Sequence, residues 1–263
     1  DAKSMLSLRM VKLLPEVVNF QDVDKEDGGL VGGKGANLGE LVKAGFSIPP
    51  GFIVTAPAYF RVIDVNNLRP KIKAILSGLD HHQQPSLNAA AKQVKQLILR
   101  ARIPDDLALA IIKAYLKLGR GSLTTLVAVR SSATAEDLPG ASFAGQQETY
   151  LNIKGEANLI QSVRDCWASL FEPRAIFYRQ ERGFDHFKVG IAVPVQTMVQ
   201  SQVSGIMFTV NPVTNDKNQI VIEAIYGLGE MIVQGAYTPD HYLVQKATYK
   251  ILQKQVNPQT KQL

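Results

Sequence analysis

The spacing of apolar residues divides the chain into strands and helices, and no segment repeats another. Apolar positions three and four residues apart are typical of helices, whereas short apolar or alternating runs bounded by Gly and Pro are typical of strands. The spacing predicts helices over 57–65, 87–101, 104–118, 159–171, 173–183 and 230–234. It predicts strands over 52–55, 126–130, 148–153, 189–199, 205–210, 220–225 and 242–246. We therefore expect a mixed α/β (α+β) fold with a substantial antiparallel part.

Two details of this pattern are specific enough to test. The strands at 189–199 and 205–210 are separated by the short polar stretch QSQVS, which predicts a hairpin. Residues 247–263 are polar and contain Pro258, so we expect no further element there. On this interpretation the chain stops within a domain.

The longest stretch of small and polar residues runs from Ser131 to Gly145. It follows the apolar run 126–129 and Arg130, and the chain resumes as a strand at 148–153. A strand that ends in a charged residue and a long loop is a common way for α/β proteins to present a loop to a ligand. A plain surface connection remains the alternative.

A second candidate is the glycine-rich stretch at 28–35, which contains Lys34 and precedes helical spacing from Ala36 onward. Glycine-rich turns that enter a helix cradle phosphates, because backbone N–H groups and the helix dipole face the anion. The P-loop pattern fails because Gly35 stands where Ser or Thr is needed. The dinucleotide pattern fails because Leu38 stands where its third glycine is needed, so a flexible turn remains open.

The remaining chemistry-bearing residues give weaker signals. Glu223 is a single carboxylate in an apolar strand, which is costly unless it is paired or bound to a metal. We interpret Cys166 as a core residue, since no histidine accompanies it in sequence. His81 and His82 are a weak metal hypothesis, because no other ligand-type cluster is near them in sequence. We therefore predict no metal ligand in this chain.

Composition excludes several classes of protein. The chain has 263 residues, a net charge of +6 and 46% hydrophobic residues, which is ordinary for a soluble protein. Its 29 Lys and Arg are scattered, so we expect no nucleic-acid partner. There is no apolar run of about 18 residues, and a single cysteine gives no disulfide framework. We expect no membrane partner and a cytoplasmic location.

Four sequence blocks together resemble the nucleotide-binding domain shared by phosphoenolpyruvate synthase (pyruvate, water dikinase), pyruvate phosphate dikinase and rifampicin phosphotransferase. The blocks are VGGKGANLGELVKAGFSIPPGF, AVRSSATAEDLPGASFAGQQETYLNI, PVQTMVQSQVSGIMFTVNP and EAIYGLGE. The resemblance implies a two-lobed, ATP-grasp-like fold that binds ATP, here truncated at its C-terminal end. It implies pyrophosphoryl transfer to a histidine on a separate swivelling domain, with release of AMP, and then phosphorylation of pyruvate on a third domain.

The resemblance also implies roles for individual residues. Lys34 and Arg130 would be the catalytic phosphate contacts, and the segment after Arg130 would close over the phosphates. Gln196, Met198 and Val199 would lie in the segment that reads the adenine. Three further nucleotide contacts would be Gly33, Thr149 and Glu223. Arginine suits this role because its planar fork bridges two phosphate oxygens.

One departure from the family pattern concerns magnesium. The family binds Mg²⁺ through a Glu and a Gln in a later stretch that resembles I-E-W followed by Q-x-R-P, and nothing similar occurs here. Residues 247–263 contain no acidic residue, and the only tryptophan is Trp167. We therefore expect the Mg²⁺ ligands beyond the end of this chain, and we expect the fragment to be inactive alone.

These interpretations predict an N-terminal extension at 1–14, a first lobe at 15–185 and an incomplete second, grasp lobe at 186–263. As partners we expect ATP and the phosphohistidine and pyruvate-binding domains of the same full-length chain. Two alternatives stay open at this point. One is an antibiotic phosphotransferase of the rifampicin type, which differs in its acceptor domain. The other is a non-catalytic nucleotide-binding module.

Overall fold

A computed structural model describes residues 14–134, 148–235 and 237–259. The chain divides into two compact units, Asp1–Met198 and Val199–Leu263. The elements of the first unit, in chain order, are β1 (Val17–Asn19), α1 (Gly28–Lys43), β2 (Gly51–Val54), α2 (Ala56–Val65), α3 (Leu68–Leu76), α4 (Gln84–Leu99), α5 (Asp105–Leu118), β3 (Val127–Arg130), β4 (Ser132–Ala133), β5 (Thr149–Ile153), α6 (Glu156–Ser169), α7 (Pro173–Glu181) and β6 (Ile191–Thr197). Two short 3-10 helices, Phe20–Asp22 and Lys25–Asp27, connect β1 to α1.

An antiparallel sheet in the order β1-β2-β6-β3-β5 forms the centre of the first unit, and β4 pairs with β6 beside β3. Alternate residues of β2 face opposite sides of this sheet. Phe52 and Val54 belong to the main core with Trp167, whereas Ile53 packs on the other side with Val31 of α1. Helix α1 therefore covers one face and the remaining helices cover the other, which is why β6 is buried along nearly its whole length.

The second unit is a four-stranded antiparallel sheet in the order β10-β9-β8-β7. Its elements are β7 (Val203–Phe208), β8 (Gln219–Tyr226), α8 (Glu230–Val233), β9 (Asp240–Gln245) and β10 (Ile251–Gln255). Its core is small and includes Val221, Ile225 and Ile232, all of which are buried. Within the described ranges, no helix combines the length and the apolar character that a membrane crossing needs.

The predicted helices over 57–65, 87–101, 104–118, 159–171 and 173–183 are confirmed to within a few residues. The mixed α/β class is confirmed as well. The sequence pattern missed β1, α3, β4 and β10. Strands β1 and β4 have only three and two residues, and β10 is exposed at every position. A strand without buried positions gives no apolar signal, so the expectation that no element follows residue 247 was wrong.

The predicted hairpin between 189–199 and 205–210 was wrong, because β6 lies in the first sheet and β7 in the second. The division into compact units falls between Met198 and Val199, whereas the lobe boundary predicted from sequence lies at 185/186 and stays a prediction. The physical reason is that β6 is apolar on both faces and fills the centre of the first sheet between β2 and β3. A short polar linker therefore joins two units instead of turning a hairpin.

Candidate functional site

The glycine-rich stretch is already helical at Gly28, and a kink at Gly32 divides α1 into two parts. Gly32 has φ 69° and ψ 169°, a backbone conformation that is essentially restricted to glycine. A Cβ atom at this position would lie 2.2 Å from the Ser132 Oγ and 2.4 Å from the Ser132 carbonyl oxygen. Glycine is therefore required here both by the dihedral angles and by the close approach of β4.

Ser132, which lies in β4, caps the second part of helix α1. Its Oγ accepts hydrogen bonds from the backbone N–H of Lys34 at 3.2 Å and of Gly35 at 3.4 Å. These amides follow the kink at Gly32, so the hydroxyl takes a role like that of an N-cap. The simple phosphate-cradle interpretation of the glycine stretch therefore needs correction, because these two amides are already bonded to Ser132.

Arg130 ends β3, two residues before Ser132. Its side chain is partly buried, its Nε forms no hydrogen bond, and no carboxylate among the described residues pairs with it. Burial lowers the pKa of the Arg130 guanidinium, because the charged form loses hydration. Thr149 of β5 is the direct cross-strand partner of Arg130 and is exposed. The arrangement leaves a partly desolvated cation at a strand end, which a bound anion would stabilise.

Hydrogen bonds fix the chain on both sides of residues 135–147, which lie outside the described residues and include most of the predicted closing loop. Ser131 donates to the Glu148 carbonyl oxygen through its amide at 3.0 Å and its hydroxyl at 3.2 Å. The Thr134 amide donates to the Gly190 carbonyl oxygen at 3.0 Å. The expected loop therefore begins later than Ser131, because 132–133 form β4 against β6.

The segment proposed to read adenine begins at the end of β6. Gln196 is buried and its side-chain amide donates to the Pro49 carbonyl oxygen at 3.1 Å. The Met198 amide donates to the Leu126 carbonyl oxygen at 2.9 Å. Val199 is 58% exposed and belongs to the second unit, where its carbonyl accepts from the Ser201 amide. The Thr197 amide donates to the Pro50 carbonyl oxygen at 2.9 Å, so three donors of this segment are engaged within the protein.

Glu223 lies in the middle of β8 in the second unit and is partly buried. It pairs across the sheet with Ile206 on one side and His241 on the other, on the face that also carries Val221 and Ile225. The described residues offer it no salt bridge.

The structure thus brings part of the candidate set together in the first unit. The helix that carries Gly33 and Lys34 docks through Ser132 on the chain just after Arg130, and Thr149 lies beside Arg130. Gln196 belongs to the same sheet, opposite Ala128 of β3. Val199 and Glu223 belong to the second unit. Ser132 was missed from sequence because its partners are 97 and 98 residues away, and no local pattern links them.

The fold and these contacts describe a mixed α/β, two-unit domain with cationic and glycine-rich elements of the kind that bind nucleotide phosphates. Residues 28–263 match the family described as pyruvate phosphate dikinase, AMP/ATP-binding domain, and the chain belongs to this ATP-grasp-like family.

Three curated relatives are named as phosphoenolpyruvate synthases. The chain is 51% identical over 252 residues to a probable phosphoenolpyruvate synthase of Methanocaldococcus jannaschii, an alignment that covers 95% of this chain and 21% of that protein. It is 50% identical over 240 residues to the enzyme of Aquifex aeolicus, covering 88% of the chain and 28% of the relative. With the Pyrococcus furiosus enzyme the identity is 45% over 269 residues, and the coverage is 89% and 33%. The chain therefore spans between about a fifth and a third of these relatives.

Proposed function

We propose that this chain is the ATP-binding part of a phosphoenolpyruvate synthase. In the proposed reaction the β,γ-pyrophosphoryl group of ATP passes to a histidine on another domain, and AMP leaves. Water then releases inorganic phosphate from the pyrophosphohistidine, and the remaining phosphoryl group passes to pyruvate to form phosphoenolpyruvate. The sum is ATP, pyruvate and water to AMP, phosphoenolpyruvate and phosphate. The family match and the names of the long relatives support this assignment.

One contact carries the proposal at the level of residues. The Ser132 hydroxyl holds the Lys34 segment of α1 against the strand end that presents Arg130. The backbones that carry two cationic residues from distant parts of the sequence are thereby held in neighbouring segments of the first unit. Fixed cations stabilise the charge that develops on a transferring phosphoryl group, since they need no rearrangement during the reaction.

The partly buried Arg130 supports the same role independently. A guanidinium that has lost part of its hydration and has no carboxylate partner among the described residues is costly on its own. A phosphate oxygen pair would supply both the missing charge and the missing hydrogen-bond acceptors. We therefore propose Arg130 and Lys34 as the principal phosphate contacts, with Gly33 and Thr149 beside them.

We propose that the segment from Gln196 to Val199 contacts the adenine. The Met198 amide is engaged with Leu126, so its part in this contact falls to the thioether side chain and to neighbouring groups of the segment. Glu223 is a further proposed nucleotide contact, contributed by the second unit.

Magnesium is the metal that the family implies, and the described residues do not fit it. Mg²⁺ prefers a set of oxygen ligands, usually carboxylates and waters. Among the described residues the one group able to hold a metal consists of two histidines and one glutamate. We therefore propose that Mg²⁺, where the reaction requires it, is held by residues other than those that the structure describes.

The test compares two arginine substitutions in the full-length polypeptide that contains this chain. We expect Arg130→Gln to slow ATP-dependent AMP formation by about 100-fold or more, because removal of one preorganised donor commonly has that effect. Arg102→Gln is the control, since the Arg102 side chain is 79% exposed and, among the described residues, forms its salt bridge with Asp105, three positions along the chain. We expect this control to retain the parent rate.

Three results would contradict the proposal. Parent-like AMP formation by Arg130→Gln would remove the phosphate role of Arg130. AMP formation without phosphoenolpyruvate, when pyruvate is supplied, would exclude the synthase assignment. AMP formation by the isolated 263-residue chain would show that no separate acceptor domain is needed.

A further inference from the structure

Two adjacent histidines and a glutamate from a different part of the chain converge in the first unit. His81 and His82 follow α3, whereas Glu181 is the last residue of α7, 100 positions further along the sequence than His81. One ligand-type atom from each side chain lies within 4.8 Å of the other two. Within the described residues, no other group of three such side chains comes this close.

Both imidazoles direct the same ring atom toward the carboxylate. His81 Nε2 lies 2.8 Å and His82 Nε2 lies 3.4 Å from Glu181 Oε1. Two ligands of a tetrahedral Zn²⁺ ion are separated by about 3.3 Å when each lies about 2.0 Å from the metal. The His82–Glu181 separation already matches this value, and the His81–Glu181 separation needs to open by only about 0.5 Å.

Packing against one aromatic ring holds the two histidines in place. The Phe177 ring centroid lies 5.7 Å from that of His81 and 5.8 Å from that of His82. Phe177 precedes Glu181 by one helical turn of α7, so it lies on the same side of the helix as the carboxylate. The same helix therefore supplies one ligand and the surface on which the other two rest, which limits their rotamer freedom before any metal binds.

The site is open to solvent and has the ligand types of a transition-metal site. The side chains of His81, His82 and Glu181 are 22%, 67% and 41% exposed. Two imidazoles and one carboxylate are a common protein ligand set for Zn²⁺, with the remaining coordination position left to water. Mg²⁺ and Ca²⁺ are disfavoured, since they select oxygen ligands.

We propose that His81, His82 and Glu181 form a Zn²⁺ site that joins the loop after α3 to the C-terminal end of α7. A metal at this position connects two segments that are remote in sequence, so its binding free energy adds to the stability of the first unit. The proposed role is structural, because the ligands come from the loop after α3 and from α7, and neither segment carries a candidate phosphate contact.

The experiment measures Zn²⁺ binding to the metal-free chain, prepared without a polyhistidine tag, by competition with a chromophoric chelator. We expect one Zn²⁺ per chain and a rise in the thermal unfolding midpoint when Zn²⁺ is added. We expect His82→Ala and Glu181→Gln each to weaken binding by at least about 10-fold. The replaced side chains are partly exposed, and circular dichroism in chelator checks that both variants keep the parent fold.

His241→Ala is the matched control, because it also removes one partly exposed imidazole but lies in the second unit. We expect parent-like Zn²⁺ affinity for this variant. Absence of saturable binding to the parent chain would overturn the proposal. Equal affinity in the parent, His82→Ala and Glu181→Gln chains would overturn it as well, because the ion would then be bound elsewhere. Binding of Co²⁺ with a visible spectrum that Glu181→Gln changes would support the assigned ligand set.

Discussion

Substitution of Gly32 by alanine tests whether the kink in α1 is required for the candidate phosphate site. The native φ of 69° and ψ of 169° are unfavourable for any residue with a side chain. The added Cβ would also overlap the Ser132 hydroxyl at 2.2 Å and its carbonyl oxygen at 2.4 Å. Because one of these atoms belongs to the backbone of β4, a rotamer change of Ser132 cannot relieve the overlap.

Two contributions give the expected magnitude. Alanine in this region of dihedral space costs about 1–3 kcal/mol. If α1 moves away from β4, the amides of Lys34 and Gly35 lose the Ser132 hydroxyl, at a cost of about 1–3 kcal/mol for buried donors. Together these give a loss of about 2–6 kcal/mol, a large fraction of the about 5–15 kcal/mol that stabilises a typical domain.

Urea unfolding measures this loss through tryptophan fluorescence. Trp167 is the only tryptophan, and it is fully buried in the main core of the first unit, so its emission reports on that unit. Gly29→Ala is the control, because Gly29 lies in the same helix and a Cβ there meets nothing within 4 Å. We expect this control to be neutral or more stable by up to about 1 kcal/mol, since alanine favours helix.

The reasoning would be refuted if Gly32→Ala unfolded at the same urea concentration as the parent. Equal destabilisation by Gly29→Ala would also refute it, because the effect would then reflect glycine content and not the kink. A destabilised Gly32→Ala protein should in addition lose nucleotide affinity, since Lys34 follows the kink directly.

Two further predictions concern buried polar groups of the first unit. We expect Ser132→Ala to lower the unfolding free energy by about 1–3 kcal/mol, because the Lys34 and Gly35 amides lose their acceptor. The matched variant Ser131→Ala should lower it less, since the Glu148 carbonyl keeps its hydrogen bond from the Ser131 amide. Equal losses in urea unfolding would contradict this. Burial and the neighbouring Arg179 lower the pKa of His186 to about 4, below its ordinary value near 6.5, so the unfolded chain binds more protons between these values. After allowance for partial exposure, the unfolding free energy should therefore fall by about 1–2 kcal/mol between about pH 7 and about pH 5. In parallel unfolding titrations, His186→Gln should remove this fall.

Local patterns were sufficient for elements that have one apolar side. Helices α4 and α5 bury residues at helical spacing, such as Val94, Ile98, Leu107 and Ile111, and the spacing predicted both. The pattern could not show which strands pair, because β6 and β7 are both apolar enough to form a hairpin. Their separation into two sheets follows from burial of β6 on both faces, a property of the assembled layers.

For the candidate site too, some features were predicted from the sequence and others became visible only in the folded structure. The identities of Lys34 and Arg130 as candidate phosphate contacts came from residue type, glycine content and resemblance, and their roles remain predictions. The sequence could not show that Ser132 joins the two segments, because the hydrogen bond spans 98 residues and a serine hydroxyl has many possible partners.

Histidines 81 and 82 show the same limit for ligand clusters. Their metal hypothesis was weak in sequence because no further ligand is near them, yet folding brings Glu181 of α7 to 2.8 Å from His81. The sequence by itself determined the family, the main helices and the residue types available for chemistry, because those depend on local spacing and identity. Only the tertiary structure decided the division into units, the cap at Ser132 and the convergence on Glu181, since each depends on contacts between segments that are remote in sequence.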